Sequence, residues 1–478
     1  MGPQFSCFAL YLSSRIDLLP AEYCRELALT SQITLPSAPS TVHRLLTEEL
    51  GEKVERSFDS IDYDPVQSTL ITQSHRARLR TGGLVTVDLL RPEFHVLQSR
   101  SAFAQFLDST AINRLCGELA IEGAITDFLN ALQRKTNLSL AGQALGNRAE
   151  DKPCELLIAR KIYGELSTAR VLTLEHVDAK TADLAVAGRP YAADELLRRV
   201  CRVWLELALC RHHFPVDPQL YNVAVSANHQ ISFDGCEFAA LPNAARENLW
   251  HYLQATMVDD PDRSSMYLLR EMQVAGNRDV DPQGFRSSFR QSAYFAVLEP
   301  VLGTDSNALP QLVFQHWKTA LEHGYRPKPH LLCFYRGLFS VARMARSLSA
   351  SGDHLREAMD EFRAARVFDQ IRDFADWHYF TQNADKFASA MVNFPRTFDD
   401  ALTRASRPPQ EVFTRKQSDI SRSSRGLSAG MVALLFLVAA IFLSQSAGKN
   451  GFSEKLIILT IMFAGLAVLQ NFEDREGT

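Results

Sequence analysis

The chain has 478 residues, with 51 basic and 55 acidic side chains and a formal net charge of -4. That length exceeds one ordinary domain and allows a large core, while the charge balance gives no reason to expect nucleic acid as a partner. The eight cysteines (7, 24, 116, 154, 201, 210, 236 and 333) are scattered without a C-x-x-C pair, which argues against a zinc site or disulfide framework and for reduced thiols.

In chain order, residues 1–45 form an extension whose apolar run, Phe5 to Leu12, is short and has no basic cluster before it, so no secretory leader is read there. Residues 46–180 read as a small lobe. Within it Leu84, Thr86 and Asp88 alternate with Val85, Val87 and Leu89, which predicts a strand entered through a hairpin turn at Gly82-Gly83. From Ala193 the period becomes helical: Leu196, Leu197, Val200, Val203, Trp204, Leu207 and Ala208 recur on one stripe, with Asp194 and Glu195 in the favoured first turn. Residues 181–405 read as a larger helical lobe, mostly helix from 245 onwards. Its clearest stripe, Leu355, Met359, Phe362, Phe368, Ile371 and Phe374, begins at Asp353 and is read as core packing.

The C-terminal part has a different character. Residues 406–426 are a polar, basic linker containing Pro408-Pro409. Leu427 to Ser444 then gives 18 residues without a charge, and Leu456 to Gln470 gives 15 more. A bilayer core needs about 20 apolar residues per helix, so the first run is adequate and the second short. Both are apolar all round, and two transmembrane helices are expected over 427–471. Arg404, Arg407, Arg415, Lys416, Arg422 and Arg425 precede the first run, which places the large N-terminal portion in the cytoplasm.

Three blocks carry a more specific signal. Residues 1–45 hold Gly2, Pro3, Phe5, Leu12, Ser13, Arg15, Asp17, Leu18, Leu19 and Pro20. The segment from Leu46 to Pro92 holds Glu49, Leu50, Gly51, Gln73, His75, Arg76, Gly83, Val87, Arg91 and Pro92. The third block, Phe214 to Leu241, reads FPVDPQLYNVAVSANHQISFDGCEFAAL. In these blocks, in this order, the chain resembles the UbiB/aarF family of atypical kinase-like proteins. The resemblance implies an α+β, two-lobed protein-kinase-like fold followed by the C-terminal transmembrane hairpin. It puts Asp217 at the catalytic-loop aspartate and Asn222 and Asp234 at the two metal-binding positions, with Mg2+ and ATP or ADP as the implied cofactors. It further places Gln73, Asp88 and Glu175 around the nucleotide, Glu175 in the hinge strand Val171 to Asp178.

The letters that do the chemistry depart from the family pattern. The phosphate-pairing lysine falls on Asp88, which reverses the sign of that contact. The acidic helix motif would fall on Lys135, Asn137, Ala141 and Ala144, and residues 128–149 contain no aspartate or glutamate. The small-residue nucleotide loop reads Gln67, Ser68, Thr69, Leu70, and the polar core of the extension has become Cys7, Phe8, Ala9, Leu10, which suits a helix packed on the small lobe. Asp88, Asp217 and Asp234 around one cleft with no balancing cation would disfavour a polyphosphate, at on the order of 1 to 4 kcal/mol for each like-charge pair near 4 Å.

Asp217, Asn222 and Asp234 are thus open to two readings, a weak Mg2+-dependent nucleotide site or loop caps in a relict one. The function implied by the resemblance is a kinase-like protein of the inner (cytoplasmic) membrane. It would be a pseudokinase or weak nucleotide binder that supports ubiquinone or isoprenoid-lipid synthesis, with the bilayer, quinone-biosynthesis enzymes or an isoprenoid lipid as partners. An active atypical ATPase or small-molecule kinase, and a membrane scaffold keeping only the fold, stand as alternatives.

Overall fold

The five-stranded sheet of the small lobe follows from the alternation read in the sequence. In the computed structural model the described residues run from 3 to 375, apart from 20, 31–33, 95–121, 147–153, 159, 188–192, 212, 275–279, 293–307 and 349–351. The linker and the expected transmembrane pair at 427–471 lie outside the described residues. Among the described residues no helix is long and apolar enough to cross a membrane.

Four helices lead in: α1 (Pro3–Leu12), α2 (Ala21–Ala28), α3 (Pro39–Leu50) and α4 (Lys53–Ser57). The sheet comprises β1 (Phe58–Ile61), β2 (Gln67–Ser68), β3 (Thr72–Leu79), β4 (Leu84–Leu90) and β5 (Val171–Glu175). Its order is β1-β3-β4-β5, with β2 paired on β3 and every pairing antiparallel. Directly opposed residues share a face. Val85, Val87 and Leu89 are fully buried in a cluster with Val42, Leu46 and Leu50 of α3. The other face carries Asp88, opposite Ser74 on β3 and Leu172 on β5, and it looks toward the large lobe.

Two helices, α5 (Glu122–Thr136) and α6 (Leu138–Leu145), join that second face to the main core through Phe128, Leu132, Leu138 and Leu145. Then come β6 (Ala179–Thr181), α7 (Ala182–Ala187) and α8 (Ala193–Cys210), followed by four short strands: β7 (His213–Pro215), β8 (Val223–Ser226), β9 (Ile231–Phe233) and β10 (Phe238–Ala240). β6, β8 and β9 form one small antiparallel sheet, and β7 with β10 forms another. The predicted stripe of α8 is buried in full, from Leu196 to Ala208.

The remainder of the large lobe is α9 (Asn243–Met257), α10 (Pro261–Arg270), β11 (Met272–Val274), α11 (Pro282–Ser292), α12 (Leu309–Glu322), β12 (Tyr325–Pro327), α13 (Pro329–Ser347) and α14 (His354–Ala375). The described residues from 245 are mostly helical, with one short interruption. β11 and β12 pair antiparallel inside it, three residues each, too short to leave a period in the sequence. Asp353 opens α14 as expected, its Oδ1 accepting the Arg356 N–H at 3.2 Å. Trp204 sits at the centre of the lobe, fully buried, and donates from Nε1 to the Pro215 carbonyl at 2.9 Å. It comes so near α13 that a Cβ at Gly337 would lie 2.9 Å from its ring, so that position admits only glycine without a shift. Trp204 thereby fixes β7, and with it the loop that starts at Asp217.

Candidate functional site

Asp217 lies two residues past β7, Asn222 precedes β8, and Asp234 follows β9, so three short strands bring the three family positions together. The bond from the Asp234 N–H to the Asn222 carbonyl, 2.7 Å, ties the last two. Gly235, at φ +65°, turns the chain sharply after Asp234. It sends Glu237 back under the loop, where the Glu237 N–H donates to Asp217 Oδ1 at 2.7 Å.

Every oxygen that the family chemistry would use is already taken by a protein donor. Asp217 Oδ2 accepts from Lys135 Nζ at 2.5 Å. Burial alone would depress Lys135, but the Asp217 carboxylate outweighs it and holds the ammonium above its ordinary range. The Asn222 amide oxygen accepts the Gln219 N–H at 2.6 Å, closing the loop between them. Asp234 accepts from the Arg160 guanidinium at 2.8 Å on one oxygen and from the Ser232 hydroxyl at 2.8 Å on the other.

The expectation of three carboxylates without a balancing cation is therefore overturned. Lys135 neutralises Asp217, and the buried Arg160 neutralises Asp234. Both cations come from distant parts of the chain, Lys135 from α5 and Arg160 from the irregular stretch before β5. Asp88 stands beside this pair. Burial pushes its carboxyl up to about 6, opposed by the Ser74 hydroxyl bond, reinforced by Asp234 and relieved by Arg160. The lost lysine has left an aspartate, and a guanidinium from elsewhere supplies the positive charge.

The remaining predicted residues divide. Gln73 does not join the site. It pairs with Leu89, on the sheet face opposite Asp88, and is buried there. Its carbonyl oxygen accepts the Ser37 N–H at 2.8 Å and its amide nitrogen lies 3.1 Å from His75 Nε2. His75 Nδ1 faces the Asp62 carbonyl at 2.8 Å. Burial lowers the ring's pKa, so the neutral ring donates there and accepts from Gln73. Glu175, at the exposed end of β5, accepts the Lys161 N–H at 3.3 Å.

The nucleotide loop has been remodelled as well. Gln67 reaches across the cleft and donates to the Tyr221 carbonyl at 2.7 Å, latching the small lobe to the catalytic loop. The extension closes the other side. Helix α1 packs on α5 of the small lobe, as expected, and also reaches α13 of the large lobe. Phe8 and Tyr11 meet Phe128 with ring centroids 4.9 and 5.4 Å apart. The Arg336 guanidinium covers the Tyr11 ring at 4.7 Å, and Arg343 donates to the Ser13 hydroxyl at 3.4 Å. Cys7, in the apolar tip, lines the same cleft as Asp217 and Lys135, and burial pushes its thiol up to about 12.

Below the loop lies an ion group that the sequence does not announce. Glu237, buried at 1 % exposure, takes Arg134 at 2.7 Å and Arg336 at 2.8 Å. Those two guanidiniums hold its carboxyl below the ordinary range against the effect of burial. The only local hint was an acidic residue inside a hydrophobic run, Glu237 before Phe238.

Asn222 and Asp234 are the residues that would hold Mg2+, and here each of their side-chain oxygens already accepts one protein donor, an N–H, a hydroxyl or a guanidinium, which leaves one lone pair apiece. Among the described residues no group of three or more His, Cys, Asp or Glu side chains could hold a metal ion.

Comparison with known proteins agrees with the blocks read in the sequence. The family model described as the ABC1 atypical kinase-like domain matches residues 30–267. The chain is 29% identical over 457 residues to the protein named probable protein kinase UbiB of Pseudomonas putida strain W619, covering 90% of this chain and 81% of that one. It is 27% identical over 308 residues to the chloroplastic "Protein ACTIVITY OF BC1 COMPLEX KINASE 8" of Arabidopsis thaliana, where the match covers 62% of this chain but only 39% of the plant protein. Among solved structures, the Rv3197–erythromycin complex from Mycobacterium tuberculosis aligns at a TM-score of 0.44 and 17% identity, over 72% of this chain and 89% of that one. With its mixed sheet-and-helix fold and the catalytic-loop, asparagine and aspartate positions brought together, the chain belongs to the ABC1/UbiB family of atypical kinase-like proteins.

Proposed function

We propose that this chain is a pseudokinase of the UbiB type, held at the membrane by its C-terminal hairpin, which serves a ubiquinone or isoprenoid-lipid pathway by binding and not by phosphotransfer. The observation that carries this reading is the Arg160–Ser232 hold on Asp234: the side chain that would fix a metal on a nucleotide is satisfied by the protein itself. The Lys135–Asp217 bond points the same way. A catalytic aspartate takes or orients the acceptor proton on a carboxylate oxygen, and here both oxygens already accept a protein donor, one of them an ammonium. The lipid pathway rests on the family resemblance and the relatives' names. The membrane rests on the apolar runs at 427–444 and 456–470.

Phosphate release from Mg2+-ATP by the purified full chain in neutral detergent tests the proposal, with Asp217→Ala alongside. The expected result is no release above background for either protein, and Asp217→Ala should restore quinone levels in a deletion strain as well as the parent gene does. Metal-dependent release that disappears in Asp217→Ala would establish the active ATPase instead.

A further inference from the structure

A second cavity lies in the large lobe and shares no lining residue with the cleft at Asp217. It encloses about 240 Å³ between the end of α9, the start of α10, α12 and the start of α14. The cleft at Asp217 encloses about 60 Å³ and the hollow at His354 about 20 Å³. A protein cavity of about 150 Å³ already admits benzene, so this one has room for a small organic molecule.

Its floor is polar but uncharged. His316 stands there, 4 % exposed. Its Nδ1 meets the Tyr252 hydroxyl at 3.0 Å and Phe289 stacks on its ring at 4.1 Å, while Nε2 has no hydrogen-bond partner among the described residues. Tyr252 does not line the cavity, so with Nδ1 turned to it the ring edge that faces the cavity is the one carrying Nε2. Burial alone pushes the pKa of the ring down to about 3, with no charged neighbour contributing, so the imidazole is neutral at pH 7. Beside it the Thr256 hydroxyl donates to the Tyr252 carbonyl at 2.9 Å and therefore accepts from Ser264 at 3.2 Å, which leaves the Ser264 oxygen its lone pairs.

The rim is acidic. Asp259 is exposed there, and its carboxylate has no hydrogen bond or ion pair among the described residues. Asp260, half-buried, uses one oxygen to cap α10 at the Arg263 N–H, 3.0 Å away, and has no cation on the other. Of the lining residues Arg356 alone is a cation, and its Nε lies on Asp353 at 3.2 Å. A single metal ion does not join these groups, since among the described residues no three His, Cys, Asp or Glu side chains could hold one. An occupant that uses both ends has to be long enough to reach from rim to floor.

We infer that this cavity binds a small organic cation, its ammonium head on Asp259 and Asp260 and a hydroxyl at its other end on His316 Nε2 and Ser264. Whichever ring nitrogen carries the proton, a hydroxyl meets Nε2, because it both donates and accepts. A neutral ring on the floor adds no repulsion for the cation. The inference goes beyond the pseudokinase reading and does not depend on it, since no residue of the kinase-like cleft takes part.

Saturation-transfer NMR and calorimetric titration of the full chain in neutral detergent test this with 4-aminobutan-1-ol, butane-1,4-diol and butylamine as probes. The amino alcohol should saturate one site with a Kd on the order of 1 mM, usual for so small a ligand. The diol lacks the charge and butylamine lacks the hydroxyl, so each should bind about ten-fold more weakly. Asp259→Asn combined with Asp260→Asn removes both charges. Asparagine tolerates the left-handed backbone of residue 259, φ +54°, and still caps α10. This double variant should weaken the amino alcohol about ten-fold and leave the diol unchanged. Leu312→Trp, which fills the cavity, should abolish binding of all three. No saturable binding of the amino alcohol, equal affinity for amino alcohol and diol, or an affinity unmoved by the double substitution would overturn the inference. So would undiminished binding to folded Leu312→Trp, which would put the probe outside the cavity. If Leu312→Trp does not fold, the rim variant and the probe series on the parent decide it.

Discussion

Replacing Asp88 by asparagine should make the protein more stable at neutral pH, although it removes a residue from the middle of the kinase-like cleft. The carboxyl is raised from an ordinary value near 3.8 to about 6, burial being the largest cause. The folded state therefore holds a proton there more tightly than the unfolded chain does. Stability from this group is fully present below pH 3.8 and is lost as pH rises to about 6 and beyond. Integrating that shift at about 1.4 kcal/mol per unit gives a penalty of about 3 kcal/mol at pH 7 and about half that at pH 5, vanishing below about pH 3. Asparagine has the same shape, can still accept from Ser74 and carries no charge to desolvate. Urea unfolding of parent and Asp88→Asn, followed by fluorescence of the buried Trp204 and Trp317, should give curves that coincide near pH 3 and separate as pH rises to 7. A difference that does not change with pH, or a variant weaker at pH 7, would refute the assignment of Asp88 as a desolvated carboxylate offset only in part by Arg160.

Arg160→Leu leaves Asp88 and Asp234 facing each other without a cation, and should lower stability by about 3 to 5 kcal/mol, as loss of one partner of a buried pair does; millimolar Mg2+ should restore part of the melting temperature in this variant and do nothing for the parent. Lys135→Met and Asp217→Asn should each destabilise, while the double variant should lose less than their sum; a coupling energy under about 0.5 kcal/mol would show that the bond contributes little. Trp204→Ala removes the buried ring and the bond to Pro215, so urea unfolding should report a loss of about 3 to 5 kcal/mol. Deleting residues 427–478 should release the protein from sedimenting membranes; a truncated form that still sediments would place the anchor elsewhere.

How much of this was visible beforehand depended on whether the signal was local. The alternation at Leu84–Leu89 and the stripe at Leu196–Ala208 declare a strand and a helix because a single segment carries the whole period, and the structure has both there. Asp217, Asn222 and Asp234 were legible for a similar reason: they lie close together in one block. Their partners were not. Lys135 stands 82 residues from Asp217, and Arg160 stands 74 from Asp234. No periodicity links residues so far apart, so the cleft read as overcharged when it is neutralised. In the sequence Lys135 marks only the place of a missing acid. Gln73 differs: its letter matches the family, yet the register that sets Ser74 opposite Asp88 turns Gln73 to the other face, and that register is a property of two strands together.

Glu237 joins three segments that are far apart in the chain, since one carboxylate receives Arg134 from α5 and Arg336 from α13 while its own N–H anchors Asp217. Drift at these positions cannot be independent. A neutral residue at 237 would strand two interior guanidiniums, and the loss of either arginine would leave the other carrying the whole charge. Relatives should therefore present positions 134, 237 and 336 as a set that is kept whole or exchanged together for apolar residues, a pattern open to direct inspection in any alignment of the family.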